Sequence, residues 1–288
     1  MPLAMLIGGL FYRQLGGLSG YMPFLIALML FITFCNISLK EIRFSKLHLW
    51  LLLIQLVGSL SVYGILFSFD RVWAQGVMIC VLAPTATSAV VITGMLGGNV
   101  AGLTAFSLLS NLLVVFAAPV IFAFIGESGE NTFFQTLEII FRKVFLILLF
   151  PFLIAVLLRK TVPAAARAVV RVSSVSFYLW CIALITATAG TVRFIISQEN
   201  PDYKIELLIA GGALIVCVSQ FLIGRRLGRI YNDTVAGGQG LGQKNTILAI
   251  WMAQTYLHPI SSIGPGTYIL WQNIINSYQV WRKSRKND

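Results

Sequence analysis

Residues 237–253 read GGQGLGQKNTILAIWMA. An interruption, AGGQGLGQKN, occupies residues 236–245, and a second, APTATS, occupies residues 83–88. Each lies inside a long apolar segment and combines polar residues with proline or several glycines, which end regular helix. Non-helical backbone at membrane depth is tolerated only where protein buries it or where it lines a cavity. The two stretches therefore predict a pair of discontinuous helices in the middle of a membrane protein.

The composition supports this prediction along the whole chain. Of the 288 residues, 58% are hydrophobic and 11% are charged, whereas soluble domains carry about 25% charged residues. Apolar runs of about 20 residues, enough for a hydrocarbon core of about 30 Å, recur throughout. We expect an all-α polytopic protein with ten transmembrane helices, at residues 2–12, 21–38, 47–69, 72–96, 99–125, 134–158, 170–195, 204–224, 234–256 and 260–281.

The first of these segments is short for a span, so we expect it to be truncated or to extend through Leu15. The chain begins directly in this apolar segment, without the charged region and cleavage site of a signal peptide. No cleaved leader is therefore expected.

Loop charges orient the segments. Loops 40–46, 159–171 and 224–229 and tail 282–288 hold 14 of the 21 lysine and arginine residues. Basic residues concentrate in cytoplasmic loops, so these loops and the C terminus are expected in the cytoplasm of a bacterium, with the helices in its inner membrane. The net charge of +11 then reflects topology rather than nucleic-acid binding.

Ten helices divide into two halves of five, residues 1–130 and 131–288. An odd number per half forces opposite orientations, and such inverted repeats are common in secondary transporters. The fourth helix of each half, segments 4 and 9, carries one of the two interruptions. Paired breaks at matching positions point to a binding site at the midplane.

Lys244 lies deep in segment 9. A lysine at the bilayer centre raises the free energy of membrane insertion by at least about 2.5–3.5 kcal/mol. No carboxylate lies near the centre of another segment. Three options remain open: a neutral amine, an ammonium held by helix C-terminal carbonyls, and an ammonium that pairs with an anionic substrate. The other candidate substrate- or ion-binding residues are polar side chains at similar depth: Thr85, Thr87, Ser88, Thr93, Ser107, Asn111, Gln239, Gln243 and Asn245, with Gln55 in segment 3.

The sequence lacks several catalytic and nucleotide-binding motifs, and this limits the classes of function to be expected. The sequence contains no P-loop, no HExxH and no nucleophile elbow, and no acid–base pair or metal cluster at depth. We therefore expect a transporter rather than an enzyme, with no resident cofactor. A non-transporting membrane sensor, and an efflux permease for anions or metalloids with a related architecture, remain alternatives.

Three stretches resemble the bile acid:sodium symporter family. Residues 23–46 resemble its second helix and the following basic loop, residues 83–119 its fourth and fifth helices, and residues 237–253 its ninth. The resemblance implies a core of segments 3–5 and 8–10, a panel of segments 1, 2, 6 and 7, and a crossing of segments 4 and 9 at their breaks.

The resemblance also implies two sodium sites. At the first site, the ligand positions of the family fall on Ala89, Val90, Leu103, Ser107 and Gln239, of which only Ser107 keeps a usual ligand. Lys244 stands where the family has an asparagine. The second sodium site corresponds to Gln55 and Gln243, which are retained.

These substitutions suggest that the charge of Lys244 replaces the sodium ion of the first site. We expect a transporter of a small organic anion in the lipid bilayer, with sodium at the second site alone, with a proton carried by Lys244, or without a coupled ion.

Overall fold

The computed structural model describes residues 2–36, 44–126, 132–171, 175–197 and 201–287. These residues form α-helices joined by short turns, and no β-strand occurs among them. The boundary expected at residue 130 between the two halves, the end of segment 2 and residues 40–43 of the first basic loop lie outside the described residues. Among the described residues, six helical stretches are long and apolar enough to cross a membrane: Tyr12–Cys35, Lys46–Phe67, Val100–Ile125, Phe133–Thr161, Val175–Ile196 and Tyr203–Ile230. The protein is thus a multi-pass membrane protein, and the ten-helix inverted repeat stays a prediction.

The N-terminal half contains seven helices and one 3₁₀ turn among the described residues. In chain order they are α1 (Pro2–Leu10), α2 (Tyr12–Leu15), the 3₁₀ turn Gly16–Tyr21, α3 (Met22–Asn36), α4 (Lys46–Phe67), α5 (Arg71–Leu82), α6 (Ser88–Met95) and α7 (Val100–Ile125). Helix α2, the turn and α3 form one apolar stretch that begins nine residues before the predicted start of segment 2.

The C-terminal half continues with α8 (Phe133–Val144), a π-helical turn (Phe145–Leu149), α9 (Phe150–Thr161), α10 (Pro163–Arg171), α11 (Val175–Ile196), α12 (Tyr203–Ile230), α13 (Thr234–Gly242), α14 (Thr246–Tyr256), a 3₁₀ turn (Pro259–Ser262) and α15 (Ile263–Asn287). The π turn ends two residues before Pro151, whose ring would collide with a carbonyl of the preceding α-helical turn.

Three basic segments expected to be loops or tail are helical. Residues 163–171 form α10, because Pro163 suits the first position of a helix and the alanines that follow favour it. Residues 224–229 continue α12, and described residues of the tail continue α15. Gly224 of α12 lies so close to the backbone of Gly237 in α13 that a β-carbon would not fit. Absence of a side chain there allows α12 and α13 to pack at backbone contact.

The structure separates into two compact units that alternate along the chain. The first falls within Met1–Ser38, Val115–Pro201 and Gln254–Ile260. In it α1 packs on α11 and α3 on α9, where the rings of Phe34 and Phe152 meet edge to face at 5.3 Å.

The second unit falls within Leu39–Val114, Asp202–Ala253 and Ser261–Asp288. Here α12 packs on α13, α5 and α15, and α4 packs on α5. Both interrupted stretches of the sequence belong to this unit, and segments 4 and 9 are each divided into two helices by them.

Candidate functional site

The first break separates α5 from α6. Helix α5 begins after Asp70, whose carboxylate accepts a hydrogen bond of 2.7 Å from the backbone of Trp73. It ends at Leu82 because the ring of Pro84 disfavours helical geometry at Ala83, which is extended with ψ of 139°. The carbonyls at the end of α5 therefore have no partners in the next turn of the same helix.

The second break separates α13 from α14. Helix α13 ends at Gly242, and Gln243 is extended with φ of −100° and ψ of 105°. Helix α14 restarts at Thr246, where the side-chain oxygen of Asn245 accepts a hydrogen bond from the backbone of Leu248. A short polar side chain at this position satisfies a free N–H group of the first turn.

The two breaks are paired with each other. Thr85 and Lys244 form an antiparallel β-bridge, flanked by backbone hydrogen bonds from Ala86 to the carbonyl of Gln243 (3.0 Å) and from Asn245 to the carbonyl of Pro84 (2.8 Å). The Thr85 hydroxyl also donates to the carbonyl of Gly240 at 2.7 Å. The backbone N–H and C=O groups of each break, which lie inside an apolar unit, are therefore hydrogen-bonded to the other break.

Lys244 is buried, with 1% of its surface exposed. Its ammonium nitrogen donates a hydrogen bond of 2.9 Å to the carbonyl of Val81, in the last turn of α5. The C-terminal end of a helix carries partial negative charge, so a cation there is favourable. The ionisable groups recorded as acting on this nitrogen are the thiols of Cys80 and Cys217, and no carboxylate is among them in the described part of the chain.

Gln55 caps two further carbonyls at the C-terminal end of α5. Its side-chain nitrogen donates to the carbonyls of Leu82 (2.7 Å) and Ala83 (3.2 Å), and its oxygen accepts from the Ser110 hydroxyl at 2.8 Å. Ser110 in turn accepts from the backbone of Thr85 at 3.1 Å. The three terminal carbonyls of this end are thus capped by side chains of α4 and of the second break.

Gln243 lies on the other side of the crossing. Its side-chain nitrogen donates to the Ser88 hydroxyl at 2.7 Å, while its side-chain oxygen is buried without a partner among the described residues. No recorded hydrogen bond joins Gln243 to Gln55. The two amides assigned to the second sodium site by resemblance therefore have different surroundings, and only Gln243 offers an oxygen without a described partner.

Helices α12 and α15 contribute polar residues that the sequence analysis did not single out. Gln272 accepts a hydrogen bond of 2.9 Å from the backbone N–H of Lys244. The hydroxyl of Tyr268 donates to the carbonyl of Gly242 at 2.8 Å and accepts from Gln220 at 3.0 Å. Gln272 lies near the middle of apolar segment 10, and the amides at residues 272, 273 and 276 at that depth are the available sequence signal.

The remaining candidate residues are placed less centrally. Ser107 donates to the carbonyl of Thr85 at 3.5 Å, and Asn111 donates back to the carbonyl of Ser107 at 2.8 Å. Gln239 turns to α15, where it donates to Asn276 at 2.9 Å. Thr87 precedes α6 without capping it, and the hydroxyl of Thr93 is buried without a partner among the described residues.

The positions matched to the first sodium site lie partly in an apolar cluster. Ala89 and Leu103 are buried there together, with Val90 packed against them; the other buried members are Leu47, Leu51, Phe106, Ala236 and Leu241. Hydrocarbon side chains supply none of the oxygen atoms that sodium requires. These residues do not fit a sodium ion.

Comparison with known families agrees with this architecture. The profile of the sodium bile acid symporter family matches residues 23–197, which is more than half of the chain. The chain belongs to this family. It is therefore a membrane transport protein, and a family of symporters is one of transporters rather than enzymes.

The family match covers one side of the crossing. It includes α5, α6 and α7 and therefore the first break, and it ends before α12. Lys244 and the second break lie beyond it, so their assignment depends on the contacts described above. Among curated proteins, none matches the chain.

Proposed function

We propose that this protein is a secondary active transporter of a small organic anion that works by alternating access, with Lys244 as a fixed cation in place of the first sodium ion. It is inserted in a bacterial inner membrane with its C terminus in the cytoplasm, and its two halves are inverted repeats. The observation that carries the proposal is the hydrogen bond from the Lys244 ammonium to the carbonyl of Val81.

The helix ends explain why a cation belongs at this place. A discontinuous helix exposes carbonyl oxygens at its C-terminal end, and transporters of several folds coordinate sodium with such carbonyls. Here the nitrogen of Lys244 contacts one of these oxygens, and Gln55 contacts the next two. A side chain that is covalently part of the protein thus provides a positive charge at this helix end without a bound ion.

The apolar cluster supports the same substitution. With Ala89 and Leu103 buried among hydrocarbon side chains, a sodium ion would lose its hydration shell without gaining ligands, which is strongly unfavourable. Transport is therefore independent of sodium at the first site. Gln243, whose side-chain oxygen has no described partner, is the residue through which a second sodium ion would act.

A proton is the second coupling ion that the site accommodates. An ammonium has three N–H donors, and one of them has a partner recorded among the described residues. The facing ionisable groups are the thiols of Cys80 and Cys217. Release of a proton from Lys244 during the transport cycle would leave a neutral amine that still donates to Val81.

Two experiments test the proposal in sequence. A thermal-shift screen of the purified protein against anionic metabolites, with and without sodium and across pH, identifies the substrate, because a ligand of the native state raises its apparent stability. Uptake of that anion into proteoliposomes is then measured with sodium, potassium or proton gradients. We expect uptake to persist without sodium, and strict dependence on two sodium ions per turnover would overturn the proposal.

Variants separate the role of the lysine from transport itself. Lys244→Gln and Lys244→Ala are expected to lower uptake at least about tenfold and to change its pH profile, whereas Lys204→Gln, at an exposed position, leaves uptake unchanged. Normal uptake in both Lys244 variants would refute the role of the lysine and leave the transporter assignment intact. Counterflow of the same anion distinguishes import from an efflux permease, and binding without flux would indicate a sensor.

A further inference from the structure

A pocket of about 600 Å³ lies in the second unit between α12 and α15, with α6 and α13 at its edge. It is separate from the crossing, and the transport proposal makes no use of it. Three basic side chains line it, Arg225, Arg282 and Lys283. No acidic residue is found among the described residues that line it.

The pocket is lined by apolar and basic residues that recur at helical spacing. The lining residues of α12 are Phe221 and three residues at positions i, i+4 and i+7, which share one helix face: Val218, Leu222 and Arg225. On α15 the same spacing places Ile275 seven residues before Arg282. Seven residues of helix span roughly 10 Å. On α12 this gives an apolar section of about this length that ends in Arg225. On α15 the lining residues Ile275 and Tyr278 and the amide of Gln279 precede Arg282.

The position of Arg225 is fixed by its neighbours. Its side chain runs so close to Gly238 of α13 that a β-carbon there would collide with it. Its guanidinium donates to the side-chain oxygen of Gln279 at 3.4 Å, and Gln239 donates to the same oxygen. The arginine is thus held at the pocket without a recorded carboxylate partner, which leaves guanidinium donors for an anion.

Lys283 has a structural role as well. Its ammonium lies against Gly97, which has φ of +68° and follows α6, and a cation is favourable near the C-terminal end of a helix. The two arginines therefore carry the argument for a ligand, and the lysine adds to the local positive charge.

We propose that this pocket binds one anionic phospholipid, with its phosphate at Arg225 and Arg282 and part of an acyl chain along Val218, Leu222 and Ile275. Arginine recognises phosphate through paired N–H donors, and basic pockets between transmembrane helices bind anionic headgroups. The apolar section favours a lipid over a soluble anion. Val218 and Leu222 are 39% and 51% exposed, so an acyl chain enters from the apolar surface of α12.

The test measures lipid binding rather than transport. Native mass spectrometry of the purified full chain in detergent compares phosphatidylglycerol, phosphatidylcholine and soluble glycerol phosphate at equal concentrations. We expect one retained phosphatidylglycerol, bound at least about tenfold more tightly than phosphatidylcholine. The variant with Arg225→Gln and Arg282→Gln is expected to lose about 30-fold in affinity for phosphatidylglycerol.

The matched control changes two neighbouring arginines that do not line the pocket, Arg226→Gln and Arg285→Gln, and is expected to bind phosphatidylglycerol within about twofold of wild type. Equal loss in both double variants, or equal binding of the two lipids, would overturn the proposal. Full displacement of the lipid by glycerol phosphate would assign the pocket to a soluble anion instead. If the double variant does not fold, Arg282→Gln alone, at an exposed position, is expected to lose about fivefold.

Discussion

The two helix breaks close their free carbonyl ends by different means. At the end of α5, the carbonyl of Val81 receives the Lys244 ammonium and the next two receive the Gln55 amide. At the end of α13, the acceptors at Gly240 and Gly242 receive neutral hydroxyls, those of Thr85 and Tyr268. The breaks look alike in sequence, but a charged side chain and a neutral amide cap the first, whereas neutral hydroxyls cap the second. The first break is therefore expected to depend more on a single residue.

Lys244→Ala is the substitution with the largest expected effect. It leaves the buried carbonyl of Val81 without its partner and removes three methylene groups and the ammonium from a buried site, so the free energy of unfolding should fall by about 3–5 kcal/mol. Chemical denaturation in detergent measures this change. Lys244→Met, which refills the volume, should lose about 1–3 kcal/mol, and Lys204→Ala at an exposed position about 0.5 kcal/mol or less. A loss below about 1 kcal/mol for Lys244→Ala would show that the first break does not depend on the charge.

Gln55→Leu tests the second cap of the same helix end. The leucine leaves the carbonyls of Leu82 and Ala83 without a described donor and the Ser110 hydroxyl proton without its acceptor, so a loss of about 2–4 kcal/mol is expected in the same assay. Gln243→Leu is the matched control, because that amide makes one recorded hydrogen bond, to Ser88, and should lose about 1 kcal/mol. Equal losses for the two amides would contradict the difference between the breaks.

The sequence was sufficient to predict the breaks but not their capping. Proline at position 84 ends α5 through local backbone geometry. The four glycines in residues 237–242, expected to interrupt segment 9, instead lie within α13, and the helix ends only after the last of them. Which side chain caps which carbonyl depends on how α4, α5, α13 and α15 pack, and residues far apart in the chain decide it. Gln239 illustrates this limit, since its depth makes it a candidate ligand, and only the structure shows that its side-chain nitrogen donates to Asn276 on α15.

Helix ends outside the breaks were predicted less well for a related reason. Clusters of arginine indicate a loop when charge alone is considered, yet arginine and alanine are good helix formers. Residues 224–229 accordingly extend α12, and the packing of Gly224 on α13 stabilises that extension. The charge of these arginines predicts the side of the membrane on which the segment lies. Helix propensity and the packing of Gly224 determine that the segment is helical.

Tyr268→Phe tests the neutral cap of the second break. The change keeps the ring and removes the hydroxyl that donates to Gly242 and accepts from Gln220. A loss of about 1–2 kcal/mol is expected, smaller than that of either substitution at the first break. Tyr278→Phe on the same helix, where the side chain is 55% exposed, is the control. A loss as large as that of Lys244→Ala would place the greater dependence at the second break.

The smallest expected effect concerns the outer ends of the two broken helices. Asp233, just before α13, accepts a hydrogen bond of 3.1 Å from Asn99, in the link between α6 and α7. Burial raises the pKa of the Asp233 carboxyl above its ordinary value of 3.8, and the hydrogen bond from Asn99 opposes this in part. Between these two pKa values the folded state binds more protons than the unfolded state, so stability falls as pH rises through that window.

Asp233→Asn removes the titrating group and should therefore flatten this part of the pH profile. Thermal unfolding of both proteins from about pH 3.5 to pH 6 measures the difference, with wild type losing stability relative to the variant as pH increases. The Asp233 carboxylate is thus expected to reduce the stability of the folded state at neutral pH. Parallel profiles would show that the link between α6 and α7 does not sense the charge on Asp233.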